Sequence, residues 1–490
     1  MRMNKTKSLI NTGALARCRN IALRWELFQQ FPANGCKPLK RLRSRVSPFV
    51  RVIRSSGRHL CFFLCLLFKA NGLRSSLCAL CVVCQSALAT VHYVDVNSTN
   101  ATPPFTNWPT AATNIQDAVD ASAAGDEVVV TNGVYARFSV FNSATIRSVN
   151  GAPVTSIDGG GAGSCVVGPA NATLFGFTLT NGHAAEGGGA SGDSGHNLTL
   201  NDCTVTGNSA AFGAGALYCT LNNCTLANNT AQNSSDSPGA YGGGAAYCTL
   251  NNCTLSSNSA LIPGVQAGST RAYGGGAAYC TLNNCNLTDN QNDYFGGGAY
   301  RCQLYNCTLT GNTASFGGGG AYLSSAYNCI LYGNTGHNSD AGLGGSTLRY
   351  CCTTPLPNTG LGNITNAPSF VDPDSGDLRL QSNSPCIDRG NNSYVTSATD
   401  LDGNPRIVRG TVDIGAYEYQ SLDLIGSGVA PNQFGFNVTG QSNWVIVLEA
   451  SSDFTSWTPL MTNTLSGSPF PFRDPTPPNL PHRFYRARME

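Results

Sequence analysis

The stretch GGGAAYCTLNNCTLSSN occupies residues 242–258 and returns as GGGAAYCTLNNCNLTDN at residues 274–290. Gly-Gly-Gly-Ala also begins at residues 187, 296 and 318, and the second cysteine of the unit recurs in steps of 21, 29, 32, 22 and 22 residues. A tandem unit of 22 residues predicts a solenoid, in which two copies carry insertions of 7 and 10 residues around Ser234–Gly239 and Ile262–Thr270. The recurring cysteines are Cys203, Cys224, Cys253, Cys285, Cys307 and Cys329.

Residues within the unit alternate as they do in a β-strand. Cys248 and Leu250 share one face, whereas Tyr247 and Thr249 share the other. Such short segments are stable only when successive copies stack about 4.8 Å apart, so that each strand pairs with the copies above and below. Glycine runs supply turns with positive φ. The sequence therefore predicts an all-β fold, a parallel β-helix with about 22 residues per coil.

Two residue types form columns in this arrangement. The asparagine that closes each unit is expected to form an amide ladder inside the coil. Cys-x4-Cys pairs such as Cys248/Cys253 have no recurring His beside them and do not have a usual zinc spacing, so we expect buried thiols that pack as small apolar residues. Metal binding, and disulfides between coils in an oxidising compartment, are the alternatives. The asparagine column is Asn208, Asn229, Asn258, Asn290, Asn312 and Asn334.

Charge divides the chain into two parts. Residues 1–89 contain 16 of the 29 Lys and Arg, and their one acidic residue is Glu26. Residues 90–490 contain 13 Arg, no Lys and 26 acidic residues, a net charge of −13. We expect no nucleic-acid partner, because such a body offers phosphates few cations.

Residues 1–89 are expected to be a non-structural extension that ends in a signal peptide. The apolar run Leu77–Ala89 finishes with Ala87-Leu88-Ala89, and cleavage is predicted after Ala89. Its apolar runs are well short of the roughly 20 residues that a membrane-spanning helix needs, so we expect no transmembrane segment in the mature chain. An uncleaved anchor is the alternative. We expect a monomer that is secreted or held at the cell surface.

The ends of the repeat region follow other patterns. Asn114 followed by Ile115, Ala118 and Val119 predicts a short amphipathic helix, Ile115–Ser122, over the first coil. Alternation within 431–490 predicts a small antiparallel β domain. The predicted divisions are an N-terminal cap at 90–136, repeats at 137–350, the end of the β-helix at 351–420 and a sandwich-like domain at 421–490.

Three groups of motifs resemble known families. The segments 93–95, 114–119 and 133–135 resemble the N-terminal cap of pectin-lyase-type β-helices, which implies a right-handed coil. The Gly-Gly-Gly-Ala and Leu-x-x-Asn blocks resemble repeats of polymorphic outer membrane proteins, although Leu stands where those usually have Phe. Ser384–Asp388, Asp400–Arg406 and Asp413–Glu418 resemble the choice-of-anchor Q domain. These resemblances imply an exported bacterial surface protein.

Charged residues are rare between Ser164 and Leu348, and the best cluster is Asp289, Asp293 and Arg301. If the chain is a polysaccharide lyase or glycoside hydrolase, these three would be catalytic. The alternative for Asp289 is a solvated turn residue, because glycines hold its position in other copies. Fold analogy alone does not establish chemistry.

A binding surface is the other hypothesis. Tyr218, Tyr247 and Tyr279 form one outward column, which Arg301 continues. The tyrosines either hold sugar rings or form a ladder that stabilises the sheet. The segment 372–377 is rich in oxygen ligands, so Ca²⁺ is an option there against a polar turn, and no other cofactor is expected. We therefore expect an interaction or adhesion scaffold for glycans or cell surfaces, with a polysaccharide lyase or glycoside hydrolase as the alternative.

Overall fold

The computed structural model describes residues 89–168, 171–195, 198–232, 239–262, 271–336, 345–357, 359–426, 434–440, 444–466, 469–474 and 483–489. The predicted extension and signal peptide, up to residue 88, lie outside the described residues, as do most residues of the two predicted insertions. Within the described part, no helix is long and apolar enough to cross a membrane.

The repeats form a right-handed parallel β-helix, as predicted. The central coils visit four stacked sheets in turn, which have 11, 10, 6 and 8 strands within the described residues and are called sheets 1 to 4 here; the first coils have no strand in sheet 3. Equivalent residues pair directly between coils, for example Leu221 with Leu250. Sheet 1 comprises Val91–Val94, Glu127–Val130, Thr145–Ser148, Thr173–Phe175, Leu198–Asn201, Cys219–Asn222, Thr249–Asn251, Thr281–Asn283, Gln303–Tyr305, Ser325–Tyr327 and Thr347–Arg349.

The other three sheets follow in chain order around the coil. Sheet 2 comprises Gly133–Ala136, Thr155–Asp158, Thr178–Thr180, Thr204–Thr206, Thr225–Ala227, Thr254–Ser256, Asn286–Thr288, Thr308–Thr310, Ile330–Leu331 and Cys352–Thr353. Sheet 3 comprises Ser209–Ala210, Thr230–Gln232, Ser259–Leu261, Gln291–Asn292, Thr313–Ala314 and Thr335–Gly336. Sheet 4 comprises Phe138–Ser139, Val166–Val167, Ala190–Ser191, Ala216–Leu217, Ala245–Ala246, Ala277–Ala278, Ala299–Tyr300 and Ala321–Tyr322. Two further strands, Gly239–Tyr241 and Arg271–Tyr273, pair with each other beside sheet 3.

Inward-facing side chains form one continuous apolar core. Leu250 and Leu255 are fully buried, whereas Thr249 and Tyr247 of the same coil are exposed, as the alternation predicts. The 14 cysteines of the described residues are all buried free thiols. Stacked cysteines are also hydrogen-bonded, since the Sγ atom of Cys285 accepts from the backbone N–H of Cys253 at 3.4 Å. The predicted column of buried thiols is therefore present.

The closing asparagines form the predicted internal ladder. The Oδ1 atom of Asn290 accepts from both the backbone N–H and the Nδ2 atom of Asn258, each at 3.0 Å. The Nδ2 atom of Asn290 donates to the carbonyl of Leu255 and to Oδ1 of Asn312, each at 2.9 Å. Each amide thus satisfies backbone groups that the corner leaves without a strand partner.

A short helix, Ile115–Ala121, packs against the first strands of sheets 1 and 4. Asn114 caps it by accepting the N–H of Asp117 at 2.9 Å, and it ends one residue before the predicted Ser122. Ile115, Ala118 and Val119 are its buried residues, so the amphipathic pattern gives its orientation correctly. Short 3-10 turns cover Trp108–Thr110, Pro373–Ser375 and Asn392–Tyr394.

Residues 384–420, called the clasp here, run along the outside of the last coils. The corner between sheets 1 and 2 is a column of asparagines in the left-handed region, and their amides hold the clasp backbone. The Nδ2 atoms of three of them donate to clasp carbonyls: Asn328 to Asn391 at 3.0 Å, Asn306 to Tyr394 at 3.2 Å and Asn284 to Thr399 at 2.9 Å.

The C-terminal part is antiparallel. A hairpin of Phe370–Asp372 and Asp377–Leu380 precedes the clasp. Two three-stranded sheets follow it, and their shared core includes Phe436, Val438, Ile446 and Leu448. Their strands are Asp423–Gly426, Gly435–Thr439 and Phe470–Arg473 in one sheet, and Val445–Ser451, Thr458–Thr464 and Phe484–Met489 in the other.

Asn290→Ala is expected to destabilise the chain by about 3 kcal/mol or more, because it leaves several buried donors and acceptors without partners. Asn283→Ala is the matched control. Asn283 donates to Asn251 at 2.9 Å on the half-exposed outer face of sheet 1, where water replaces the lost bond, so we expect a loss below about 1 kcal/mol. Guanidinium unfolding compares the two variants. Equal losses would contradict a dominant role for the inner ladder.

Candidate functional site

The outer side of sheet 4 carries two parallel columns of aromatic rings. Tyr247 stacks on Tyr279 with ring centres 4.8 Å apart and planes 3° apart, and Tyr218 lies 5.2 Å beyond Tyr247. These are the three tyrosines predicted from the sequence, and the structure brings them together. A second column precedes each glycine turn, where Tyr241 stacks on Tyr273 at 5.0 Å. The second column is Phe212, Tyr241, Tyr273 and Phe295.

Further rings join the columns into one surface, called the aromatic face here. Tyr300 lies 4.4 Å from Tyr273 and 5.5 Å from Tyr279, so it bridges the two columns. Tyr322 continues the surface at 4.1 Å from Phe295. The second column was missed by the sequence reasoning, although an aromatic residue six positions before each of Tyr218, Tyr247 and Tyr279 would have revealed it. Tyr294 and Phe316 lie at its edge, 4.2 Å apart.

The backbone of the tyrosine column is in an unusual conformation. Tyr218, Tyr247 and Tyr279 have φ values of 52°, 53° and 57°, in the left-handed region. That region favours Gly or Asn, and other residues there cost of order 1 kcal/mol each. The corner between sheets 2 and 3 makes the same kind of turn with glycine or a small polar residue, for example Gly311 with φ of 69° and Ser257 with φ of 53°. Bulky side chains are therefore retained on this edge despite the strain.

The stacking decides which atoms of the aromatic face meet solvent. Rings in a ladder cover one another's faces, so the interior members present their edges and hydroxyls, and Tyr247 is 41% exposed. Burial raises the pKa of Tyr241 and of Tyr247, which keeps both hydroxyls neutral. Within the described residues, the hydroxyls of Tyr218, Tyr241 and Tyr247 have no hydrogen-bond partner. A row of hydroxyls that both donate and accept is the result.

Both arginines between Ser164 and Leu348 lie against this surface. The guanidinium of Arg301 lies 5.9 Å from the ring centre of Tyr279 and 5.6 Å from that of Tyr300. Arg271 lies 5.2 Å from the ring centre of Tyr294. Both are solvent-exposed, so positive charge borders the aromatic face, although residues 90–490 as a whole are acidic.

The predicted catalytic cluster is spread around one coil. Asp289 is an exposed corner residue between sheets 2 and 3, with φ of 55°. Arg301 is at the corner between sheets 4 and 1. Asp293 accepts the backbone N–H of Ile262 at 2.8 Å, which connects it to the preceding coil. Among the described residues, no ion pair or side-chain hydrogen bond connects these three with one another.

The clasp contains a buried polar cluster that the sequence reasoning missed. Arg406 is 1% exposed, and its guanidinium donates to the carbonyls of Asp413 and Gly415 at 3.3 and 2.5 Å. Glu418 lies 3.9 Å from it and accepts the N–H groups of Val408 and Asp413 at 2.9 and 3.0 Å. Asp400 likewise accepts two backbone N–H groups. The cluster therefore fixes the clasp loops to one another.

The tip of the clasp overhangs a polar cavity of about 610 Å³. The β-helix contributes Asn223 and Asn252, the next members of the corner column, and the clasp contributes Asp402 and Tyr417. Tyr417 is fixed by a hydrogen bond of 2.9 Å from Asn286. The cavity therefore lies next to the part of the asparagine column that does not hydrogen-bond to the clasp backbone.

The oxygen-rich segment 372–377 forms a turn. Asp372 caps a short 3-10 turn by accepting the N–H of Ser375 at 3.3 Å, and Asp377 pairs with Arg379 at 2.8 Å. In the part of the chain that the structure describes, no group of three or more His, Cys, Asp or Glu is placed to hold a metal.

No family model and no curated protein matches the chain. Among solved structures it is similar to the pectate lyase Pel9A, with a TM-score of 0.40, 13% identity and coverage of 68% of this chain and 97% of that one. Two structures of pectin methylesterase bound to hexasaccharides match with TM-scores of 0.22 and 10% identity, covering 57% and 55% of this chain and 82% and 80% of theirs. These likenesses concern the fold alone. The polymorphic outer membrane protein and choice-of-anchor Q resemblances stay predictions.

The clasp cluster predicts how stability depends on pH. Burial raises the pKa of Glu418 to about 8 and those of Asp400 and Asp413 to about 6. A carboxyl group whose folded pKa is raised stabilises the fold below its unfolded pKa, and this contribution is lost as the pH rises through the folded pKa. The melting temperature should therefore fall by several degrees between about pH 5 and about pH 9.

Two variants separate this effect from general destabilisation. Glu418→Gln should melt lower overall and lose most of the decline between about pH 7 and about pH 9. In Asp453→Asn the decline should persist, because hydrogen bonds from Ser456 and Thr455 lower the pKa of Asp453 and its titration falls at more acid pH. Calorimetry across the pH series checks both. A decline that persists unchanged in Glu418→Gln would overturn the assignment.

Proposed function

We propose that this chain is an exported β-helix scaffold that binds an anionic polysaccharide along its aromatic face. The observation that carries the proposal is the column of Tyr218, Tyr247 and Tyr279, held in left-handed backbone where glycine would be less strained. Strained non-glycine residues are retained where the surroundings and the function require the side chain. The pattern of residues 77–89 supports export.

The geometry favours an extended ligand that lies along the solenoid axis. Hydroxyls recur once per coil, so a polymer with its own repeat meets the same group at successive positions. Ring faces are covered by neighbours, and recognition therefore relies on ring edges and hydroxyl hydrogen bonds rather than on stacking of a sugar over a face. A flat, open surface of this kind holds a chain without enclosing a reacting bond.

The arginines select the charge of the ligand. Arg271 and Arg301 are the cations of the central repeats, and guanidinium groups bind carboxylate and sulfate through paired N–H donors. The acidic remainder of residues 90–490 repels an anionic polymer elsewhere on the body. Binding is therefore confined to the aromatic face.

The first test removes two rings of the tyrosine column. Tyr247→Ala/Tyr279→Ala should weaken binding to polygalacturonate or alginate by about tenfold or more, since each aromatic contact contributes of order 1 kcal/mol. Tyr305→Ala is the matched control, because it removes a ring that stacks 5.2 Å from Tyr327 on sheet 1. Calorimetric titration of folded proteins gives the affinities. Unchanged affinity in the double variant would leave the column as a structural ladder and contradict the proposal.

The second test addresses charge. Arg271→Gln/Arg301→Gln should lose about tenfold or more in affinity for polygalacturonate, and the salt dependence of binding should decrease. Arg147→Gln, whose partner is Glu127 far along the chain from these coils, should bind as the parent does. Neutral dextran serves as the ligand control. Preferential binding of dextran by the parent chain would overturn the anionic assignment.

The same samples report on the enzymatic alternative. New reducing ends or unsaturated products from polygalacturonate would establish depolymerisation, and the double variant Asp289→Ala/Arg301→Ala would then test the two residues predicted as catalytic. A scaffold should release neither product while it binds the polymer.

A further inference from the structure

Three cysteines of the described chain, Cys165, Cys352 and Cys386, stand apart from the stacked columns, and the last two lie together. Cys352 belongs to the last strand of sheet 2, and Cys386 belongs to the clasp. Both are fully buried, and they share one apolar cluster with Ile330, Leu380 and Ile414. The thiol of Cys352 is the neighbour that raises the pKa of Cys386 most, as expected for two side chains packed in the same small cluster. The pair therefore joins the last strand of sheet 2 to the clasp.

The stacked cysteines are poor partners for one another. In-register neighbours on parallel strands point the same way, with equivalent atoms about 4.8 Å apart, whereas a disulfide needs Cβ atoms roughly 3.5–4.5 Å apart. Their sulfur atoms are also engaged with backbone groups, as in the 3.3 Å bond from Cys253 to the carbonyl of Asn251. Cys351 belongs to that inner set, because its Sγ atom donates to Ala326 at 3.4 Å.

Cys352 and Cys386 approach each other from two different segments. Cys352 is held by its strand, where its N–H donates to Cys329 at 2.9 Å, and its Sγ atom points to the carbonyl of Asn366 at 3.1 Å. Cys386 is held by the N–H of Ile414, which donates to its carbonyl at 3.0 Å. Side chains on two separate segments are not held at the fixed spacing of parallel strands, so they can reach the Cβ separation that a disulfide needs.

We propose that Cys352 and Cys386 form a disulfide that fastens the clasp to the last coil when the chain folds in an oxidising compartment. The oxidant is a donor disulfide, either oxidised glutathione or the disulfide of a thiol oxidase. One cysteine thiolate attacks a donor sulfur and releases the first donor thiolate. The other cysteine then attacks the mixed disulfide and releases the second. Two electrons pass to the donor, and the two thiol protons go to solvent.

The timing of the oxidation follows from burial. Contact with Cys352 and burial raise the pKa of Cys386, so the docked thiol is a poor nucleophile. A donor also has no access to a fully buried sulfur. The mixed disulfide with the donor therefore forms before the clasp docks. Docking then brings the second cysteine against it, and the closed bond is buried from reductants. This disulfide does not depend on glycan binding.

The chain offers a clean peptide assay. Trypsin cuts after Arg349, Arg379 and Arg389, which isolates Cys386 in peptide 380–389 and Cys351 with Cys352 in peptide 350–379. Full-length protein folded with oxidised glutathione is alkylated in denaturant, digested without reductant and analysed by mass spectrometry. The expected product is peptide 350–379 linked to peptide 380–389. Recovery of peptide 380–389 with an alkylated Cys386, from folded protein, would overturn the proposal.

Variants identify the partner. Cys351→Ser should retain the linked peptides, whereas Cys352→Ser should lose them. The opposite result would reject Cys352 as the partner. A functional measurement accompanies the mapping: reduction of the parent should speed proteolysis within the clasp on the order of tenfold or more, because the link no longer limits its opening. Cys386→Ser should be cleaved at the reduced rate under both conditions. Equal rates for oxidised and reduced parent protein would contradict a fastening role.

Discussion

The hydrogen bonds of the inner asparagine ladder are the interaction on which the rest of the structure depends. A coil of about 22 residues must turn its backbone at several corners, and each corner leaves polar groups inside an apolar core. Asn290 and its equivalents satisfy those groups and simultaneously bind the coil above. An amide at any other position would leave donors buried without partners, so the ladder also fixes the register of the stack.

A fixed register places the same residue type of successive coils in a straight row. The left-handed residue at the corner between sheets 4 and 1 becomes a row of tyrosines, and the one between sheets 1 and 2 becomes a row of asparagines. The tyrosine row stays open and forms one side of the aromatic face. The asparagine row instead serves the chain itself, because three of its amides hold the clasp. The same geometric device therefore supplies both a candidate ligand surface and an internal docking site.

Periodicity explains how much of this was predictable. The 22-residue repeat predicted the coil, the thiol and asparagine columns and the row of Tyr218, Tyr247 and Tyr279, because an in-register stack maps sequence spacing directly onto space. It could not place residues of the clasp, whose contacts span more than 60 positions, as between Asn328 and Asn391. The sequence reasoning also grouped Asp289 with Arg301, because the two residues are close along one coil. In the structure they lie at different corners, separated by two strands and a glycine turn.

The chain after the repeats resolves a problem that every solenoid has at its end. The last strands, Thr347–Arg349 and Cys352–Thr353, would otherwise present unpaired edges. Residues 361–364 pair with them, since the N–H groups of Tyr350 and Thr353 donate to the carbonyls of Leu361 and Ile364. A periodic sequence cannot close itself, because each further coil creates the same edge again. Closure needs an aperiodic segment, and the clasp that follows it along the side of the coils has its own specificity in Arg406 and the buried carboxylates. Buried charges are tolerated only in one exact arrangement, so they select a single docked conformation where apolar packing alone would accept several.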